Sequence, residues 1–331
     1  MKKVLILTVF LLFVNGVVWA ESVNVYNAVE GVYLGLSAQY LRLDLPDYSP
    51  IALEDSSFNF ITYLDGSDGR EEAVMPGVII GFPIPALNIV VEFGAEVADW
   101  NSETNKIYDY SSSYRVGYLS LDGNHGTVGV SSGGDVAARI NRSGDYSRFE
   151  LIGKYPMHLK GLEVIPFVGP SFMSLEEDFA LRANSVQVPS YQLLQDEQLD
   201  SDYIGARLGI KLAGRFCDFA GWELTPAIGV YHLDADYKGS QQESVIGYTA
   251  TIKDGKSRTT TAASVLGKIV LEYQQLTLSF VAGLDYLEDV AKIRHSTLGN
   301  GSANNYGDPA HIEFDSSLNS RFGVELGVKF W

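Results

Sequence analysis

His232 and Asp234, in the run Tyr231-His232-Leu233-Asp234-Ala235-Asp236, are the side chains best spaced for acid–base chemistry. Two residues apart on an extended segment, they fall on one face, because a strand sends alternate side chains to the same side. An acid beside a histidine can activate water, and Asp99, just before Trp100, closes a second extended run at the same height. Hydrogen bonding among polar groups at a solvated rim accounts for the same residues without any catalysis. Other chemistries find less footing. No Gly-x-Ser-x-Gly element is present, so a lipase-type nucleophile has no anchor. His125, His158, His295 and His311 are scattered over loops and turns, without the spacing of metal ligands. The acidic runs Asp65-Gly66-Ser67-Asp68-Gly69 and Asp196-Glu197-Gln198-Leu199-Asp200-Ser201-Asp202 do not match a calcium loop and read as solvated segments. Cys217 is the single cysteine, so no intramolecular disulfide can form, and it reads as a small residue near a turn. Neither a cofactor nor a metal is expected.

The elements that would carry these residues alternate with period two. At the end of the chain, Phe322, Val324, Leu326, Val328 and Phe330 share one face, while Arg321, Gly323, Glu325, Gly327 and Lys329 share the other. Near the start, Val32, Leu34, Leu36, Ala38 and Tyr40 alternate with Tyr33, Gly35, Ser37 and Gln39. Leu87 to Val97 alternates in the same way against Asn88, Glu92 and Glu96. An amphipathic helix does not hold strict alternation over such lengths. The pattern predicts strands at 31–44, 74–82, 87–99, 146–155, 162–175, 203–216, 222–237, 259–273, 276–290 and 319–331. Turns near 83–86, 156–160, 217–221 and 274–275 are short, whereas 45–73, 100–145, 176–202, 238–258 and 291–318 read as long loops. This alternation of connection lengths predicts an all-β, antiparallel transmembrane β-barrel of about ten strands. Its short turns would face the periplasm and its long loops the outside. Extra hairpins around 114–131 and 245–260 leave twelve strands as an alternative.

The ends and the composition agree. Lys2 and Lys3, the apolar stretch Val4 to Val14 and the small-residue site Val18-Trp19-Ala20 predict a secretory signal peptide at 1–20. Residues 21–30 then form a short periplasmic lead-in, and 31–331 a single barrel domain. No later apolar run is long enough to cross a bilayer as a helix. The chain has 24 Lys and Arg against 41 Asp and Glu; two of those lysines fall in the leader, leaving 22 against 41 and a mature charge of −19. That acidity excludes a nucleic-acid partner and suits lipopolysaccharide met through divalent cations. The 33 glycines and 19 tyrosines favour a crowded inner face and aromatic interfaces.

Parity assigns Glu92, Glu96, Arg148, Glu150, Lys154, Arg207, Lys211, Lys268, Glu272, Asp285, Glu325 and Lys329 to the lumen. Both signs occur in similar numbers. In a barrel this narrow they would pair and plug the bore rather than line a water-filled pore.

Through Gly31 to Tyr40, Phe322 to Trp331 and Val164-Ile165-Pro166-Phe167-Val168-Gly169-Pro170, the mature chain resembles Gram-negative outer-membrane β-barrel proteins. The likeness is to the outer-membrane-protein-A and opacity type and to a Legionella-type group of pore-forming proteins. The resemblance implies location in the bacterial outer membrane and contact with its lipid and lipopolysaccharide. It also implies insertion by the barrel-assembly machinery through the terminal signal Phe322, Val324, Leu326, Val328, Phe330 and Trp331. Trp331 stands one residue out of phase with the apolar face. A non-enzymatic barrel follows, either a narrow porin-like channel for small solutes or a structural and surface-interaction protein. An adhesin-type barrel that binds a surface ligand through its outer loops is the first alternative. A second is an omptin-like protease using Asp99, His232 and Asp234. Omptins read Asp-x-His where this chain has His-x-Asp, and an acidic pair where it has Asp99-Trp100.

Overall fold

The computed structural model describes residues 31–55, 60–64, 66–108, 114–123, 127–128, 135–159, 162–244, 247–295 and 308–330. The expected leader and lead-in, together with Asp65, His125 and Trp331, lie outside the described residues. Ten long strands build the wall. They are β1 (Tyr33–Asp44), β2 (Arg70–Ile84), β3 (Ile89–Tyr108), β4 (Val136–Lys154), β5 (Leu162–Ser185), β6 (Gln192–Cys217), β7 (Ala220–Glu243), β8 (Thr249–Tyr273), β9 (Leu276–Arg294) and β10 (His311–Lys329). Each pairs antiparallel with the next, and β1 pairs with β10 from Tyr33↔Lys329 to Arg42↔Ser320, which closes the sheet. A closed sheet leaves no unpaired edge, the condition under which β structure can sit in hydrocarbon. The alternative of twelve strands is corrected. Residues 114–119 join a separate four-stranded sheet with Ile51–Asp55, Phe60–Tyr63 and Thr127–Val128, and residues 249–260 belong to β8, the same wall strand expected at 259–273, rather than to an extra pair.

Polarity inverts part-way up the wall while the alternation of faces continues. On β6 the outward Ile204 and Leu208 are 63% and 52% exposed, yet further up the same face carries Asp202, Asp200, Gln198 and Asp196. Inward positions change the opposite way, from Lys211 and Arg207 to Tyr203, Leu199 and Leu193. On β7 the exposed Leu224, Ile228 and Val230 give way to His232, Asp234 and Asp236, over buried Tyr231, Leu233, Ala235 and Tyr237. An apolar-out, polar-in segment suits lipid outside and a wet lumen inside. A polar-out, apolar-in segment suits water outside and a packed core inside. The inversion therefore marks the upper boundary of the lipid-facing band.

Several stretches expected as loops are wall instead. β5 continues to Ser185 before β6 begins at Gln192, and β7 continues to Glu243 before β8 begins at Thr249. At about 3.3 Å per residue and a tilt of about 40°, the 26 residues of β6 rise roughly 65 Å, against a lipid band of about 25 Å. Inside this extension lies one large apolar core. Leu41, Met75, Ile140, Leu181, Tyr203 and Leu233 belong to it, and Leu45, Tyr48 and Ile51 fold over it from the segment after β1. Gly144 makes room for the inward Trp100, because a Cβ there would collide with the indole. At the opposite end the turns are tight, and Asn88 and Gln274 take left-handed backbone at φ 51 and φ 56. Among the described residues no helix is long and apolar enough to cross a membrane.

Candidate functional site

The lumen holds the charged groups, in two layers below the apolar core. The upper layer spans the bore. Arg148 on β4 reaches Asp285 on β9 at 3.7 Å, and these strands stand five apart in a ring of ten, on opposite walls. Arg148 also contacts Glu150 at 2.9 Å and Glu96 at 3.9 Å. Arg207 of β6 meets the same Glu150 at 2.9 Å and donates to Ser264 Oγ at 2.6 Å. Arg321 of β10 lies 3.1 Å from Glu96 and 3.1 Å from Asp285, so three arginines and three carboxylates share one network. Such groups tolerate burial only when paired and hydrogen-bonded on most sides, as they are here.

The lower layer uses lysines. Lys154 pairs with Glu92, Lys211 with Glu223 at 2.5 Å and Lys268 with Glu325 at 2.6 Å. Glu272 meets Arg215 at 3.3 Å, near the mouth. Between these pairs lies a cavity of about 260 Å³. It runs from the end marked by Gly31, Pro156 and Gln275 up to the arginine layer. All twelve residues assigned to the lumen by parity point inward; eleven line this cavity and Asp285 lies just above it. Glu163, Glu223 and Arg321 line it too and were not among the twelve. Arg321 had a signal, since it shares the face of Glu325 and Lys329 at intervals of four.

The expected catalytic group does not assemble. Asp99 lies on β3 and His232 on β7, four strands apart, and Asp99, His232 and Asp234 all project outward and exposed. The reason is the inversion of polarity. Above the lipid band the outward face is the solvated one, so these polar residues point away from any interior site. They stand part-way up the wall, since β3 runs on to Tyr108 and β7 to Glu243, and they do not converge.

A polar cluster lies buried at the outer end, where the sequence reads a solvated acidic run. Glu197, 3% exposed, accepts from Tyr48, from Tyr237 at 2.5 Å and from Gln195 at 2.6 Å, and His295 Nε2 stands 3.0 Å away. Tyr48 also stacks on Phe179, with ring centroids 4.3 Å apart. Burial pushes the Glu197 carboxyl up, but His295, Tyr237 and Tyr48 outweigh it and hold it below its ordinary value. Burial and then the Glu197 charge raise both phenols, Tyr48 and Tyr237, well above theirs. Nothing local in the sequence marks this cluster, whose members come from four distant segments. Arg142 is buried in a similar way, 2.5 Å from Glu177 and 3.9 Å from Glu71. Among the described residues no group of three or more His, Cys, Asp and Glu could hold a metal ion.

No protein-family model matches the chain, and no curated protein matches it. Solved structures with similar architecture are outer-membrane barrels. The outer membrane protease OmpT from Escherichia coli is 10% identical, with a TM-score of 0.49 over 91% of this chain and 97% of its own. A major outer membrane protein from Thermus thermophilus is 10% identical, with a TM-score of 0.36 over 91% and 100% of the two chains. A FadL homologue from Pseudomonas aeruginosa is 10% identical, with a TM-score of 0.29 over 92% of each.

Proposed function

We propose that this chain is an integral barrel of the bacterial outer membrane, closed to solutes at rest, that acts as a structural and surface-interaction protein rather than an enzyme. The observation that carries this reading is the wall-to-wall ion pair of Arg148 and Asp285, within a network that also holds Glu96, Glu150, Arg207 and Arg321. Opposite walls joined through side chains narrow the bore at this level, and the apolar core above them supports the same reading. The extension above the lipid band, polar outside and packed inside, supplies a rigid surface for partners at the cell exterior, where barrels carry binding. Lipid and lipopolysaccharide are the partners that the apolar belt and the acidic extension suit.

The test is electrical. Purified, refolded protein in planar bilayers is expected to give no discrete conductance steps across a range of salts. Steps of reproducible size would overturn the closed reading and favour a narrow channel.

A further inference from the structure

We infer that the outer edge of β8, from Thr249 to Thr259, takes up an extended acidic peptide segment of an external partner as an added strand. This rests on the reading of the extension as a surface for partners, and names the part that binds and the chemistry it binds. In the lipid band the wall is closed, but above it β8 and β9 part. β8 stays paired with β7 up to Gln242↔Thr249, whereas its pairing with β9 begins only at Ala262↔Leu287. Beyond Leu287, β9 shifts register against β10 and turns into the barrel. Val290 and Ala291, successive residues, are both buried in the core, and the Asp289 carbonyl accepts from Tyr203 of β6 at 3.1 Å. Inward side chains of β8 reach β10 directly. Asp254 accepts from the Ile312 amide at 2.7 Å, and Lys256 donates to the Ile312 carbonyl. The upper parts of β9 and β10 therefore pass behind β8 rather than beside it. Gly255 to Thr259 are exposed at every position, on both faces, and among the described residues no strand pairs with β8 on that side above Ala262.

In an antiparallel sheet alternate residues turn their amide and carbonyl groups to opposite sides, so every second residue here presents both to the open side. A strand that adds to such an edge binds through its main chain and is selected by its side chains. Charge decides which strand fits. The chain is strongly acidic, with 24 Lys and Arg against 41 Asp and Glu, yet Thr249 to Thr261 carries Lys253, Lys256 and Arg258 with Asp254 alone. Arg258 is engaged by Asp289 at 3.0 Å, and Asp254 by Ile312. Lys253 instead stands directly opposite Lys238 of β7. Both are exposed, and neither has an ion pair among the described residues. Like charges facing each other destabilise a strand pair, and a carboxylate on the far side of Lys253 relieves this one. Lysine on an edge also opposes pairing with a second copy, which brings the same positive charge. An acidic strand meets neither obstacle.

Fluorescence anisotropy of a labelled peptide with the full barrel in detergent tests it. The probe is a synthetic heptapeptide alternating glutamate and valine, and the control carries lysine in place of glutamate. The acidic peptide is expected to bind, and the basic one is not. N-methylation of two successive central residues blocks both edges of the acidic peptide but leaves its charge, and should abolish binding. Lys253→Glu should weaken binding of the acidic peptide about fivefold or more. It sets opposite charges across the pair with Lys238, so the variant should keep the heat-dependent gel migration of a folded barrel. Closure of the bore is read by conductance and is untouched by any of these results. Wild-type protein that fails to bind the acidic peptide, binds the basic one equally or binds the N-methylated one unchanged would overturn the inference. Binding unaltered in Lys253→Glu would do the same. A wild-type dimer in sedimentation that Lys253→Glu disrupts would also overturn it, and would assign the edge to a second copy.

Discussion

Glu197 shows what a single side chain contributes to the outer end. Its carboxylate gathers Tyr48, Tyr237, Gln195 and His295, and through Tyr48 it fastens the segment after β1 over the apolar core. Hydrogen bonds to a buried charge are worth more than neutral ones, so Glu197→Gln should destabilise the barrel by about 3 kcal/mol. Urea unfolding followed by gel migration would measure this. The direction of the pH effect follows from the lowered carboxyl pKa. Glu197 contributes its stability in full above the ordinary carboxyl value of about 4.3, and loses it as the pH falls from there through its own lower value. Hydrogen exchange around Tyr48, taken relative to the intrinsic amide rate at each pH, should therefore accelerate in acid below that range in the wild type. In Glu197→Gln it should be fast already at neutral pH, and equal protection in the two proteins would remove Glu197 as the fastener.

Along the wall, one row of outward carboxylates crosses five neighbouring strands. Asp99 of β3 stands opposite Asp145 of β4, Asp145 opposite Glu176 of β5, Glu176 opposite Asp200 of β6, and Asp200 opposite Asp236 of β7. Like charges directly across a strand pair repel. Asp200 registers this: burial and the nearby Glu176 raise its pKa against the Gln198 hydrogen bond. Glu176→Gln, at the centre of the row, should raise the temperature at which the barrel unfolds, and added monovalent salt should do the same for the wild type by screening. A fall in that temperature for Glu176→Gln would show that Glu176 is held by a stabilising contact instead. The row also marks where the apolar-out pattern of each strand ends while the strand itself continues. Leu87 to Val97 was legible because its outward residues are apolar, but Asp99 begins the inverted half, where polar side chains face out and the pattern of a lipid-facing strand ends. The ten walls, the tight turns and the twelve inward charges needed only parity. The extensions needed the knowledge that an apolar core fills the barrel above the lipid. The Glu197 cluster needed the tertiary fold itself.

For the whole molecule, the interior is two barriers in series above an open vestibule. On the closed reading proposed above, the arginine–carboxylate network closes the bore at the level of Arg148, and the core around Leu181, Tyr203 and Leu233 closes it again above. Breaking one partner of the lower barrier leaves a buried charge uncompensated, so Arg148→Ala alone or Asp285→Ala alone should unfold in less urea than the double variant Arg148→Ala/Asp285→Ala. The same double variant separates the two barriers. Its lower barrier loses the wall-to-wall contact, but the packed side chains around Leu181, Tyr203 and Leu233 still fill the bore above it. Planar-bilayer recordings should therefore stay silent for the double variant as for the wild type. Conductance that appears only when Arg148 and Asp285 are removed would mean that the arginine layer is the sole gate and that the core above it admits water. In that case closure would rest on titratable side chains and respond to salt. Silence in both proteins places closure in the packed outer half, where it depends on burial and is insensitive to ionic strength.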